Sequence, residues 1–185
     1  MQQPEQTQQQ VTSKPSVADL DEDTLAFMRH VFGLARAGEA AELATLLDQG
    51  FPPNLRNERG DSLLMLACYH GHLDAARALL DHGADPEIMN DAGQSPLQGA
   101  AFKGDLPVAT LLLERGAQPD AAGPNGRTAL TFAAMFNRVD IARMLLARGA
   151  DPFRVDAGGS SILDAARTMG AADTVALLTE VTKAS

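Results

Sequence analysis

The chain repeats itself every 33 residues, and this period restricts its fold more than any other feature. Gly60, Gly93, Gly126 and Gly159 share the spacing. A Ser or Thr follows each glycine by two positions: Ser62, Ser95, Thr128 and Ser161. Leu64, Leu97, Leu130 and Leu163 follow by four, and Ala67, Ala100, Ala133 and Ala166 by seven. Further columns are Leu46, Leu79, Leu112, Leu145 and Leu178, then Gly50, Gly83, Gly116 and Gly149, then Pro53, Pro86, Pro119 and Pro152. A fixed period of roughly 20–50 residues is the mark of a stacked array, in which each unit buries its apolar face only against its neighbours.

The columns predict local structure. The Ser or Thr sits where an N-cap belongs, its hydroxyl placed to accept from a backbone N–H of the first turn. A short helix follows, roughly Leu64 to His70 in the second unit. Gly71, Gly104 and Gly170 end it in left-handed geometry, and Asn137, the next-best residue for that geometry, takes the place in the fourth unit. A second helix is predicted from Leu73 to Asp81, stopping at Gly83. Helices of about eight or nine residues do not hold alone in water. Leu79 and Leu80 are therefore expected to bury between units, each contributing about 1.5–3 kcal/mol if fully buried. The opening unit has a longer first helix, with Asp21 and Asp23 as candidate caps. At the far end the column Leu47, Leu80, Leu113, Leu146 turns to Thr179, as a polar terminal face requires. The units read 21–56, 57–89, 90–122, 123–155 and 156–185, behind a Gln-rich tail, 1–20, expected to be disordered.

Composition narrows the function. The 185 residues suit one folded domain. With 15 Lys and Arg against 24 Asp and Glu, the net charge of −9 and the lack of a basic run argue against nucleic acid, whose phosphates need clustered cations. Aromatic residues are only 4% and Trp is absent, so the apolar content is mostly Ala and Leu, which favours close-packed helices. One cysteine allows neither an internal disulfide nor a Cys-based zinc cluster. No apolar stretch approaches the roughly 18 residues of a membrane span, and residues 1–20 lack a basic, apolar leader, so a cytoplasmic protein without membrane contact is expected.

The strings Gly93-Gln94-Ser95-Pro96-Leu97, Gly99-Ala100-Ala101, Leu111-Leu112-Leu113-Glu114-Arg115-Gly116-Ala117 and Gly149-Ala150-Asp151-Pro152 resemble the ankyrin repeat, over about residues 24–180. Asn57 to His72 and Ala100 to Asp105 look like small bacterial ankyrin proteins in particular. The resemblance implies an all-α solenoid of about five stacked helix–turn–helix–loop units with terminal caps. One departure stands out. The family's Thr-Pro-Leu-His becomes Ser62-Leu63-Leu64-Met65, Ser95-Pro96-Leu97-Gln98, Thr128-Ala129-Leu130-Thr131 and Ser161-Ile162-Leu163-Asp164. Without the histidine, the polar network between units is expected to be weakened, and the array to be less stable than a consensus one.

Catalytic motifs are missing: no Walker lysine, no His-Glu-x-x-His, no serine elbow. Cys68 and His72 are spaced like a thiolate–imidazole pair, yet Cys68 occupies the column of Ala101 and Ala134 and reads as a small buried residue. His70, His72 and His82 do not form one metal site, since His82 lies about 15 Å along the helix from His72; all three read as exposed turn residues. Neither metal nor cofactor is expected.

The resemblance places a partner on the concave surface made by the first helices and loop tips. On matching positions here the face columns are Tyr69, Phe102, Met135, Thr168 and His70, Lys103, Phe136, Met169. Exposed aromatics and methionines in a strip mark interfaces, although rings so placed can also pack on the next unit. The loop tips add Glu58, Arg59, Asp61, Met89, Asp91, Gln94, Asn125, Arg127 and Arg154. The expected function is a monomeric, non-catalytic interaction module that docks a protein partner on Tyr69, Phe102 and Phe136. Alternatives are an inhibitor or immunity-type protein, an acidic array capping a basic active site, and, by resemblance, a catalase-associated stress-defence accessory.

Overall fold

Every residue of the Ser/Thr column opens a helix. The computed structural model describes residues 21–184; the tail 1–20 lies outside the described residues. Among the described residues ten helices run in five successive pairs: α1 (Glu22–Ala37) and α2 (Ala40–Asp48), α3 (Leu63–Tyr69) and α4 (Leu73–Asp81), α5 (Pro96–Lys103) and α6 (Leu106–Glu114), α7 (Ala129–Met135) and α8 (Val139–Ala147), α9 (Ile162–Thr168) and α10 (Ala172–Ala184). The hydroxyls of Ser62, Ser95, Thr128 and Ser161 accept from the N–H groups of Met65, Gln98, Thr131 and Asp164. Asp21 caps α1 by accepting from Thr24 N–H at 2.7 Å, while Asp23 lies within the first turn. Each such cap is worth about 1 kcal/mol.

The pairs stack in two layers. In one layer α1, α3, α5, α7 and α9 pack side by side; in the other α2, α4, α6, α8 and α10 do the same. Ala67, Ala100, Ala133 and Ala166 have no exposed surface, and neither have Leu79, Leu112, Leu145 and Leu178. The second Leu column is only half-buried at Leu80, Leu113 and Leu146. One apolar core runs unbroken from Val31 to Leu178. At the end of α10, Thr179 and Thr182 turn their hydroxyls back onto the carbonyls of Val175 and Leu178, giving a polar last turn.

Polar contacts between units survive without the family histidine. The buried Gln98 amide donates to the carbonyls of Ala121 at 3.0 Å and Arg127 at 2.9 Å, and its oxygen accepts from Ser95 N–H. Glutamine thus fills the role that the missing histidine left open, at this one interface. A second set of links was not apparent from the sequence. Side chains of Asn54, Glu87 and Asp120, again 33 residues apart, accept the backbone N–H of Asp85, Gln118 and Asp151 in the next unit.

Asn137 has a second purpose beyond its left-handed φ of 55°. Its Oδ1 accepts from the N–H groups of Asp173 and Thr174, so it caps α10 from the preceding unit. The histidines read as exposed are also engaged. His72, half-buried, places Nε2 2.8 Å from the Arg36 carbonyl oxygen. His82 holds Nδ1 2.7 Å from the Ala78 carbonyl and Nε2 2.9 Å from Asp48 Oδ1. Two acceptors on one ring favour imidazolium, which has two N–H groups, over the neutral form with one.

Replacing Gln98 by Ala removes three hydrogen bonds of about 0.5–1.5 kcal/mol each. Gln98→Ala should lower stability by about 2–3 kcal/mol in urea titration while leaving helical circular dichroism unchanged. His82 gives a pH signature. The Asp48 hydrogen bond first, and the Ala78 carbonyl next, raise its pKa above the ordinary 6.5. The stability this contact adds is therefore complete below pH of about 6.5 and is lost as pH rises through the raised value. The melting-temperature gap between wild type and Asp48→Asn should be widest near pH of about 6 and close by about 9; a gap of constant width would contradict the assignment.

Candidate interaction surface

The ends of the inner helices carry the side chains singled out in the sequence. Tyr69 is the last residue of α3, Phe102 and Lys103 finish α5, and Met135 closes α7 with Phe136 as its C-cap. Because the inner helices are in register, these positions form a continuous ladder. The Tyr69 and Phe102 rings stack at 6.1 Å with planes 7° apart, and Phe102 meets Phe136 edge to face at 4.6 Å. The His70 ring stands edge-on to Tyr69 at 5.5 Å. Lys103 Nζ sits 4.5 Å from the Tyr69 ring centre, in cation–π range. Tyr69, Phe102, Met135 and Phe136 are half-buried, whereas His70, Lys103, Thr168 and Met169 are exposed. The rings therefore pack across units and still present a face to solvent.

A groove of about 850 Å³ runs between this ladder and the loop tips. Tyr69, His70, Arg59 and Asp91 line it together, with Met65 as part of its floor. Phe102, Lys103, Met135 and Phe136 continue the ladder beyond the groove. Asp91 is engaged by Arg56 at 2.9 Å. Arg127 is not directed to the groove but lies 3.5 Å from Asp156. Arg36, near the end of α1, also lines the groove and was missed in the sequence. The signal was available, since Arg36 precedes Tyr69 by one full period.

The loop tips are held by their own side chains. Asn57 Oδ1 accepts from the N–H groups of Arg59 and Asp61, and Asn90 Oδ1 does so from Ala92 and Gln94. Asn90 then donates to Asp61 of the preceding loop at 2.9 Å. The wall opposite the rings is thus fixed before any partner arrives.

The candidate nucleophile has no reactive environment. Cys68 is fully buried, and burial first, then the charge of Asp105, pushes its thiol far above the usual range, so it stays protonated. His72 is turned to the Arg36 carbonyl. Among the described residues no cluster of three or more His, Cys, Asp or Glu is arranged to hold a metal, and no helix is long and apolar enough to cross a membrane.

Comparison with known proteins agrees with this architecture. The family model for ankyrin repeats (3 copies) matches residues 32–123 and 100–184. An ankyrin repeat protein of Pseudomonas aeruginosa is 58% identical over 59 residues, which is 32% of this chain and 34% of that protein. The aligned part thus spans about a third of that relative's length. By its period, its stacked helix pairs and this match over most of its length, the chain belongs to the ankyrin repeat family.

Proposed function

We propose that the protein is a non-catalytic, monomeric, cytoplasmic interaction module that docks a protein partner along the ring ladder of its inner helices. The observation that carries this reading is the half-buried series Tyr69, Phe102 and Phe136, which leaves aromatic faces open beside a preformed groove. Aromatic side chains give large contact area at low entropic cost, and they dominate binding energy when desolvated at the centre of an interface. Ankyrin repeats are in general protein-interaction modules, which supports the same reading. His70, Lys103 and Met135 flank the anchors, and Arg59 and Asp91 form an outer rim, from which Arg127, engaged with Asp156, stands apart. A net charge of −9 disfavours nucleic acid as the partner.

Affinity capture from native lysate should compare wild type with Tyr69/Phe102/Phe136→Ala. Because these rings also pack between units, a second bait carries Met169→Asp, which puts a charge at the exposed end of the ladder without opening the core. Both variants should keep their helical signal and lose a protein that wild type retains, by about tenfold or more. Identical protein sets on all three baits would make the ladder packing only.

A further inference from the structure

Four loop tips, 57–62, 90–95, 123–128 and 156–161, follow one another at the 33-residue period. Hydrogen bonds tie the first two together: Asp91 N–H donates to the Arg59 carbonyl at 3.1 Å, and the Asn90 amide to Asp61 at 2.9 Å. The last two are tied in the same way, Ala157 N–H to the Asn125 carbonyl at 2.9 Å and Arg127 to Asp156 at 3.5 Å. Among the described residues no such hydrogen bond joins the middle two tips. Two residues account for the gap. Pro124 takes the place of the donors Asp91 and Ala157, and proline has no N–H. Gly123 takes the place of Asn90 and Asp156 and has no side chain to reach across.

The third tip is also the least braced from within. Asn57, Asn90 and Asp156 each close their tip by donating N–H to the carbonyl four residues on, and each accepts two N–H groups on its side chain. Gly123 does neither: the Arg127 carbonyl accepts from Gln98 instead, and the side-chain brace is a single bond from Arg127 N–H to Asn125 Oδ1. The feet of this tip are nevertheless fixed. Gln98 holds the carbonyls of Ala121 and Arg127, and Asp120 accepts from Asp151 N–H. At the seam the contact is backbone against backbone, since a Cβ added to Gly123 would overlap the Gly93 carbonyl oxygen.

We propose that the row of loop tips is hinged: tips 57–62 and 90–95 move as one body and tips 123–128 and 156–161 as another, about the seam between Gly93 and Gly123-Pro124, with Gln98 as the pivot. Hydrogen bonds within each pair are directional and resist relative motion, whereas van der Waals contact across the seam holds the tips together without fixing their angle. The motion is confined to the tips, because the inner helices beneath the seam stay packed, with the Phe102 and Phe136 rings 4.6 Å apart. The groove described above takes its loop wall from the first pair of tips alone, so it keeps its shape while the seam opens. The hinge is a property of the free chain and does not depend on the docking ladder.

Collective hinge motions fall in the microsecond-to-millisecond range, which backbone amide NMR relaxation dispersion reads. The full chain should show exchange at the amides of Ala92, Gly93, Gly123 and Asn125, and flat profiles at Arg59, Asp91, Ala157 and Gly158. Pro124→Ala restores an N–H one period from that of Asp91, with the Ala92 carbonyl as its acceptor, at an exposed position where the fold is not at risk. This variant should lose most of the exchange at the seam. Gln98→Ala, which frees the feet of the third tip, should instead extend the exchange to Ala121 and Arg127. Flat profiles at the seam, or dispersion of equal size at all four tips, overturn the hinge. Exchange that persists undiminished in Pro124→Ala overturns it as well, and unchanged profiles at Ala121 and Arg127 in Gln98→Ala overturn the pivot.

Discussion

Methyl-sized contacts between the inner helices set the geometry of everything else in the molecule. Ala67, Ala100, Ala133 and Ala166 are fully buried at the same place in successive units. A larger side chain there would push neighbouring helices apart, and overpacking of this kind costs about 1–3 kcal/mol per site. Close approach in turn brings Tyr69, Phe102 and Phe136 to 4.6–6.1 Å, the range in which aromatic pairs attract. The ladder on the surface is thus a consequence of the alanines beneath it.

Much of this order was readable from the chain because it answers local backbone demands that recur at a fixed interval. The hydroxyl column caps four helices, and Asn137 adopts the left-handed φ expected where the other units place glycine. Roles that depend on distant backbone were not readable. Gln98 bridges to carbonyls 23 and 29 residues away, and nothing near it in sequence signals that they converge. His72 and His82 looked like exposed turn residues because their acceptors, Arg36 and Asp48, lie in the preceding helix pair.

The candidate surface divides along the same line. Its members stood out as unusual side chains in an Ala- and Leu-rich repeat, and their joint placement follows from the register. Their half-burial does not, because it depends on how far each ring leans on the next unit. Arg36 escaped notice since no glycine-led loop motif precedes α1 to mark its unit. Which charged side chains are engaged is likewise a tertiary property. Asp91 looks free in the sequence and is engaged by Arg56, whereas Lys103 finds only a ring.

The cap that Asn137 supplies to α10 has a bearing on how far the last unit stands alone. Ala171, the residue just before that helix, has no side-chain oxygen, so the first turn of α10 draws its acceptor from the end of the preceding inner helix. Nucleating a helix is its least favourable step. Helix α10 therefore gains this cap only where α7 has terminated in its native left-handed turn. The last unit thus borrows part of its stability from its neighbour, and an array cut before Asn137 would leave the first turn of α10 without its acceptor.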